Sequence, residues 1–327
     1  MASAWTDGLK ALYIKLPRPV RYWIDVLILA GRYWSDSLAF IYAAALAFFT
    51  VFSIAPVMIV VVTMVGLVLG ERAARGELMD QLQQVLGSDA AQLVETAILN
   101  SRIEESGIWP TLLGVIAIVA GATTVFAQMQ KSLNQIWDVI PRPSRSGVWR
   151  LIKARLLSLT VVLAIGFVLL VSLLLSVALR AAMAFAEQWL PLPGWLMVGV
   201  EIGLSLTVVT GLFAAIFKIL PDVVLRWRDV LAGALVTALL FTVGRSLIAL
   251  YLANTATAST YGAAGSLAVL LLWVNYSALI LLFGAAITRA DVEGRGRQIL
   301  PRNTAVRFRR ELVESPADAA EDDSGAA

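Results

Sequence analysis

"FTVGRSLIALYLANTATASTYGAAGSLAVLLLWVNYSALILLFGAAITRA", Phe241–Ala290, holds two charges, Arg245 and Arg289, with 43 uncharged residues between them. A membrane helix needs about 20 consecutive apolar residues, so this stretch is long enough for one complete span and most of another. Six stretches of the chain meet that length: 38–69, 108–128, 156–179, 197–217, 230–251 and 263–286. The whole is 59% hydrophobic and 15% charged. Soluble domains are about a quarter charged, so the composition predicts an all-α, polytopic membrane protein with six transmembrane helices. The segment 38–69 exceeds a hydrocarbon core of about 30 Å and carries Pro56, which removes a backbone donor. A kink is expected there, with Thr50 and Ser53 placed to cap the carbonyls it releases.

Lysine and arginine placement orients the spans. Five lie in the N-terminal segment, six in the 129–155 loop, three in 218–229 and seven in the C-terminal tail. The intervening loops hold only Arg72, Arg75, Arg102 and Arg180. Both termini are therefore expected in the cytoplasm, and the membrane is expected to be the bacterial inner (plasma) membrane. Met1–Arg32 scatters charges through its length and lacks the apolar core of a signal peptide, so the first span is expected to be retained. Trp34, Trp109, Trp137, Trp149, Trp189, Trp195 and Trp227 flank spans, as interfacial anchors do; Trp273 falls within one.

Three regions result. Residues 1–37 form a cytoplasmic segment whose amphipathic runs fit helices lying on the interface or packing on the bundle. Residues 38–288 form the transmembrane domain, with a small external helical hairpin at 71–107. Residues 289–327 form a cytoplasmic tail, acidic at its end and expected to be disordered. Three spans precede and three follow the 180–196 loop, which permits an inverted repeat, although no internal sequence similarity supports one.

No histidine and no cysteine occurs. Imidazole and thiolate chemistry is thereby excluded, and no catalytic residue, metal site or cofactor is expected. Attention falls on Arg245 instead. An arginine inside the bilayer is costly and faces protein or water. Glu201 is the acid well inside a span, and the hairpin through the 218–229 loop puts the two within roughly 6 Å in depth at the helical rise. They are expected to pair in the outer half of the membrane. Three readings stand: a neutralised clamp, a cationic anchor for an anionic headgroup with Glu201 as resting counter-ion, or a side chain reaching the outer interface. Gly199, Gly203, Thr207 and Gly211 repeat every four residues, a spacing that suits close helix packing. Asn254–Ser266, containing Tyr261, Gly262 and Gly265, reads as an outer turn packed into the bundle, with a re-entrant piece as the alternative.

"AAALAFFTVFSIAPV" (43–57), "LNQIWDV" (133–139), "LPDVVLRWRDVLAGALVTALLF" (220–241), "GRSLIALY" (244–251) and "YGAAGSLAVLLLWVNYSALILLFGAAIT" (261–288) resemble the YihY/BrkB family of bacterial inner-membrane proteins, in the same order and over about 35–290. The resemblance implies six membrane helices. An old ribonuclease BN label attached to the family finds no support in the residues: the acids beside the spans (Asp138, Asp222, Asp229, Asp291, Glu293) look isolated, whereas RNA hydrolysis needs an acid–base pair or a carboxylate cluster holding metals. Family members usually carry Gly-Ala-Glu before a Thr near the end of the last span. Here Ala286 replaces the acid, so any role of that glutamate does not transfer. The residues favour a transporter or flippase for a lipid or other anionic amphiphile, with a non-transporting scaffold of envelope biogenesis as the alternative. Expected partners are anionic lipid headgroups, further copies of the chain or envelope proteins, and no nucleic acid.

Overall fold

The computed structural model describes residues 16–69, 108–142, 194–254 and 258–308, with helical positions at 76, 79, 83, 91–92 and 94–96. The elements are α1 (Arg18–Asp36), α2 (Ala39–Leu69), α3 (Ile108–Ile136), β1 (Val139–Pro141), α4 (Gly194–Ile219), α5 (Trp227–Asn254), α6 (Ala258–Gly294) and β2 (Ala305–Arg307). Four stretches are long and apolar enough to cross a membrane: Ala39–Ile59, Ile202–Ile219, Trp227–Leu247 and Leu267–Gly294. The second expected span is also helical, as α3. The third, 156–179, lies outside the described residues.

α6 is the central post, with α1, α2, α3 and α5 packed against it. α2 also packs on α3, and α4 on α5. The α5–α6 crossing is close because both helices carry a Gly-x-x-x-Thr. A Cβ on Gly233 would lie 2.1 Å from Thr288 Oγ1 and 2.4 Å from the Gly284 carbonyl; one on Gly284 would lie 1.8 Å from Thr237 Oγ1. Both hydroxyls donate back one turn, Thr237 to Gly233 at 2.7 Å and Thr288 to Gly284 at 2.9 Å, so no polar group is stranded in the contact. Ala286, where the family acid would stand, is fully buried. Further along, the Tyr276 ring fills the space that Gly244 leaves open, and mid-span Trp273 is buried against Phe241 at 5.3 Å.

Opposite faces stay apolar and open. Phe40, Ile41, Phe48 and Phe52 of α2 are exposed, as are Leu231, Leu235, Leu239, Val243 and Leu247 at four-residue intervals along α5. Stripes of this length on a soluble protein would aggregate; they suit contact with lipid.

Two expectations change, those of the outer turn and of the disordered tail. Pro56 sits inside an α2 that the secondary structure carries unbroken to Leu69, and its ring seats on Gly121 of α3, where a Cβ would come within 2.8 Å. From Ala258 onward the small-residue stretch is the opening of α6, not a turn; residues 255–257 lie outside the described residues. Helix fits there because the segment is alanine-rich and has no proline. The Gly199, Gly203 and Gly211 stripe of α4 meets no described neighbour within 4 Å, so it does not serve close packing among the described residues. The tail expected from 289 is ordered as far as Phe308: α6 runs on to Gly294 and β2 follows. Of the 71–107 segment, Met79 and Val94 pack on Ala55 and Met58 of α2.

Candidate functional site

The ends of five helices meet a strap, residues 295–308, in a polar cap. β2 pairs antiparallel with β1, Val139 opposite Arg307 and Pro141 opposite Ala305. Val223 bridges to Pro301, and the Arg302 N–H donates to the Asp222 carbonyl at 2.8 Å. The strap thus ties the loop after α3 to the loop before α5.

Local chemistry fixes each end. Pro17 and Pro19 fit the start of α1, where the ring costs no hydrogen bond. Asp138 ends α3 in the left-handed region, φ 49°, which aspartate tolerates better than most residues. Asp229, third in α5, accepts the Arg226 N–H at 2.8 Å, the returning half of a capping box. It also pairs with Arg297 of the strap.

Acids that looked isolated in sequence are each engaged, which corrects that reading. Asp222 accepts Asn134 Nδ2 at 2.8 Å and its own N–H donates to Asn134 Oδ1 at 2.8 Å. Asp291, fully buried, accepts the Tyr22 hydroxyl at 2.7 Å and pairs with Arg295 at 2.7 Å. Arg289 is the hub. It is 5% exposed, pairs with Asp138 at 2.7 Å and Glu293 at 3.4 Å, donates to the Ile136 carbonyl and lies 4.0 Å over the Tyr33 ring. Tyr33 in turn donates to Glu293. Burial, then the bond to an anion, push the Tyr33 phenol up to about 12. Tyr22 rises for the same two reasons. Part of this was readable: Arg289–Glu293 and Asp291–Arg295 are spaced i, i+4 on a helix. Their connection to Tyr22, Tyr33 and Asp138 was not, because it needs the tertiary contact.

Between these elements lies a cavity of about 600 Å³. Tyr33, Asp36 and Ser37 line it from the α1–α2 corner, Asp138 and Arg289 from the helix ends, Arg307 and Phe308 from the strap. Arg307 is its loosely held cation, half exposed and 3.5 Å from Glu293.

The sequence candidates fall elsewhere. Arg245 is exposed on α5. Glu201 belongs to α4, packed beside α5. Each stands 18 residues from the cap end of its helix, Ile219 and Trp227, about 27 Å at the helical rise, so their backbones reach matched depth. The Glu201 side chain, and those of Tyr261, Gly262 and Gly265, lie outside the described residues. Ser53 is buried in α2, Thr50 and Pro56 partly so.

Long helices with apolar outer stripes, closed at one end by paired charges, define a multi-pass helical membrane protein. The chain belongs to the virulence factor BrkB family, whose model matches residues 29–305. It is similar to the UPF0761 membrane protein of Mannheimia succiniciproducens, 27% identical over 255 residues, 75% of this chain and 82% of that one. UPF0761 membrane proteins of Xanthomonas oryzae pv. oryzae (strain PXO99A) and Xanthomonas axonopodis pv. citri are 30% and 29% identical over 262 and 258 residues. Each alignment covers 78% of this chain and 58% of the Xanthomonas protein, so the chain spans little more than half the length of those relatives. No solved structure matches it.

Proposed function

We propose that the chain carries a lipid or other anionic amphiphile across the bacterial inner membrane, with both termini in the cytoplasm. One observation supports this most: Arg245 is exposed on α5, where the exposed side chains from Leu231 to Leu247 are otherwise apolar except for its neighbour Ser246. A guanidinium in hydrocarbon costs about 2.5–3.5 kcal/mol on insertion scales unless water or an anion meets it. In this reading Arg245 takes the headgroup phosphate in exchange for Glu201. The paired cap closes the cytoplasmic end, and the buried Arg289 acts as its latch. The carrier makes and breaks no covalent bond, and neither a cofactor nor nucleic acid enters the cycle. The engaged acids argue the same way: Asp138, Asp229, Asp291 and Glu293 are held by arginines and Asp222 by Asn134.

The test is transbilayer movement of labelled phosphatidylglycerol in proteoliposomes, read by quenching of outer-leaflet label. Wild type should move the lipid and Arg245→Gln should slow it at least tenfold. Equal rates in the two, or no movement by either, would reject the reading. The saturation of the cap favours the alternative, a rigid scaffold of envelope biogenesis that binds further copies or envelope proteins through 71–107.

A further inference from the structure

We infer that the start of α5 binds one anionic phospholipid from the leaflet on the cap side. Its phosphate sits between Arg226 and Arg228, and its acyl chains lie along the outer stripe of the helix. The site is at the opposite end of α5 from Arg245 and does not require that lipid crosses the membrane.

Charge is the first argument. Arg289, Arg295 and Arg297 of the cap pair with carboxylates. Arg226 and Arg228 are exposed, and neither side chain has a carboxylate partner among the described residues. The acids on either side of them are taken, Asp222 by Asn134 and Asp229 by Arg297. Lys218 donates to the Leu225 carbonyl, so that ammonium is held as well. Two guanidiniums are left to meet an anion from outside, and their forks match the oxygens of a phosphate. Between them Trp227 is exposed. Its indole N–H is a donor for an ester or glycerol oxygen at the interface, where tryptophan commonly sits.

The turn that presents these side chains is fixed before any ligand arrives. Val223 bridges to Pro301 of the strap, and the Val224 N–H donates to the Leu300 carbonyl at 2.9 Å. The Asp222 N–H donates to Asn134 Oδ1 at 2.8 Å, and Asp229 accepts the Arg226 N–H at 2.8 Å. Little backbone has to be ordered on binding, which favours a specific complex.

The helix face then selects a lipid over a free phosphate. Trp227, Leu231, Leu235 and Leu239 are exposed; with Arg228 they fall within about 120° of the circumference at 3.6 residues per turn. From Trp227 to Leu239 the rise is about 18 Å. One leaflet is half of a hydrocarbon core of about 30 Å, so an acyl chain beginning at Trp227 has apolar side chains beside it for its whole length. A soluble phosphate would use the arginines and leave the stripe bare.

The experiment is native mass spectrometry of the full chain in mild detergent, titrated with phosphatidylglycerol or with phosphatidylcholine of the same acyl chains. Wild type should retain one phosphatidylglycerol more strongly than phosphatidylcholine by about tenfold, the scale of two arginines at an anionic headgroup. Arg226→Gln/Arg228→Gln should lose that preference with its melting temperature unchanged, and Arg226→Lys/Arg228→Lys should recover part of it. Leu235→Gln should weaken retention of both lipids. Arg18→Gln/Arg32→Gln, which removes two exposed cations of α1, should bind as wild type does. Arg245→Gln should also leave this retention unchanged, so the two sites are read apart. A double glutamine variant at 226 and 228 that keeps the preference overturns the inference. An α1 variant that loses the preference equally does so too, by showing diffuse attraction. Displacement by equimolar glycerol 3-phosphate would mark a soluble-phosphate site instead. A wild-type dimer that Leu235→Gln dissociates would give the face to a second copy, and either result rejects the lipid.

Discussion

Arg289 shows how much a single side chain can organise when it is buried. Its guanidinium meets two carboxylates, a carbonyl and an aromatic face. Removing it would take from Asp138 its pair with Arg289 and leave Glu293 only its longer link to Arg307, and breaking a buried pair from one side costs about 3–5 kcal/mol. Arg289→Ala should therefore melt far below wild type in detergent, with Arg307→Gln as the near-neutral comparison. Tyr33 supplies a second residue-scale test. Its folded pKa, about 12, lies above the ordinary value near 10, so the folded state holds the phenolic proton more tightly. That contribution is complete below pH 10 and is lost as pH rises towards 12. Thermal stability should fall across that window, and Tyr33→Phe should flatten the fall, measured by melting at stepped pH.

Small residues set the close approach of α5 and α6. Gly233 and Gly284 permit the α5–α6 contact, and an alanine at either places a methyl well inside neighbouring atoms. Overpacking of this kind costs about 1–3 kcal/mol. Gly284→Ala should lower the melting temperature clearly, read by thermal melting in detergent. Sequence periodicity proposed the stripe on α4 because its glycines repeat every four residues, and overlooked the two Gly-x-x-x-Thr pairs because each is a single repeat. What decides a contact is the partner surface, which spacing along one helix does not contain. For the same reason Asn254–Ser266 read as a turn: small uncharged residues suit either state, and only the continuation of α6 settles it.

At the scale of the molecule, hydropathy and the basic loops were legible from composition alone. They placed the helices and grouped the ends of α2, α3, α4, α5 and α6 that the structure does bring together. The strap was not legible. Its pairing with β1 and Val223 involves a few backbone bonds at long sequence separation, in a tail read as disordered from its acidic end. Val139 and Val223 beneath it are almost fully buried, and each contributes about 1.5–3 kcal/mol by burial. Ending the chain at Gly294 should expose both and make the residues near 139 and 223 sensitive to protease, while the apolar spans remain protected.

The absence of cysteine from the chain makes one measurement unusually clean. Arg245→Cys and, as a lipid-facing control, Leu239→Cys can be probed in membranes with a charged, membrane-impermeant methanethiosulfonate. If Arg245 lines a hydrated path for an anionic headgroup, the thiol at 245 reacts readily, the one at 239 does not, and anionic amphiphile slows the reaction at 245. A thiol at 245 as inert as that at 239 would mean that the arginine faces lipid or packed protein, and the carrier account would be wrong.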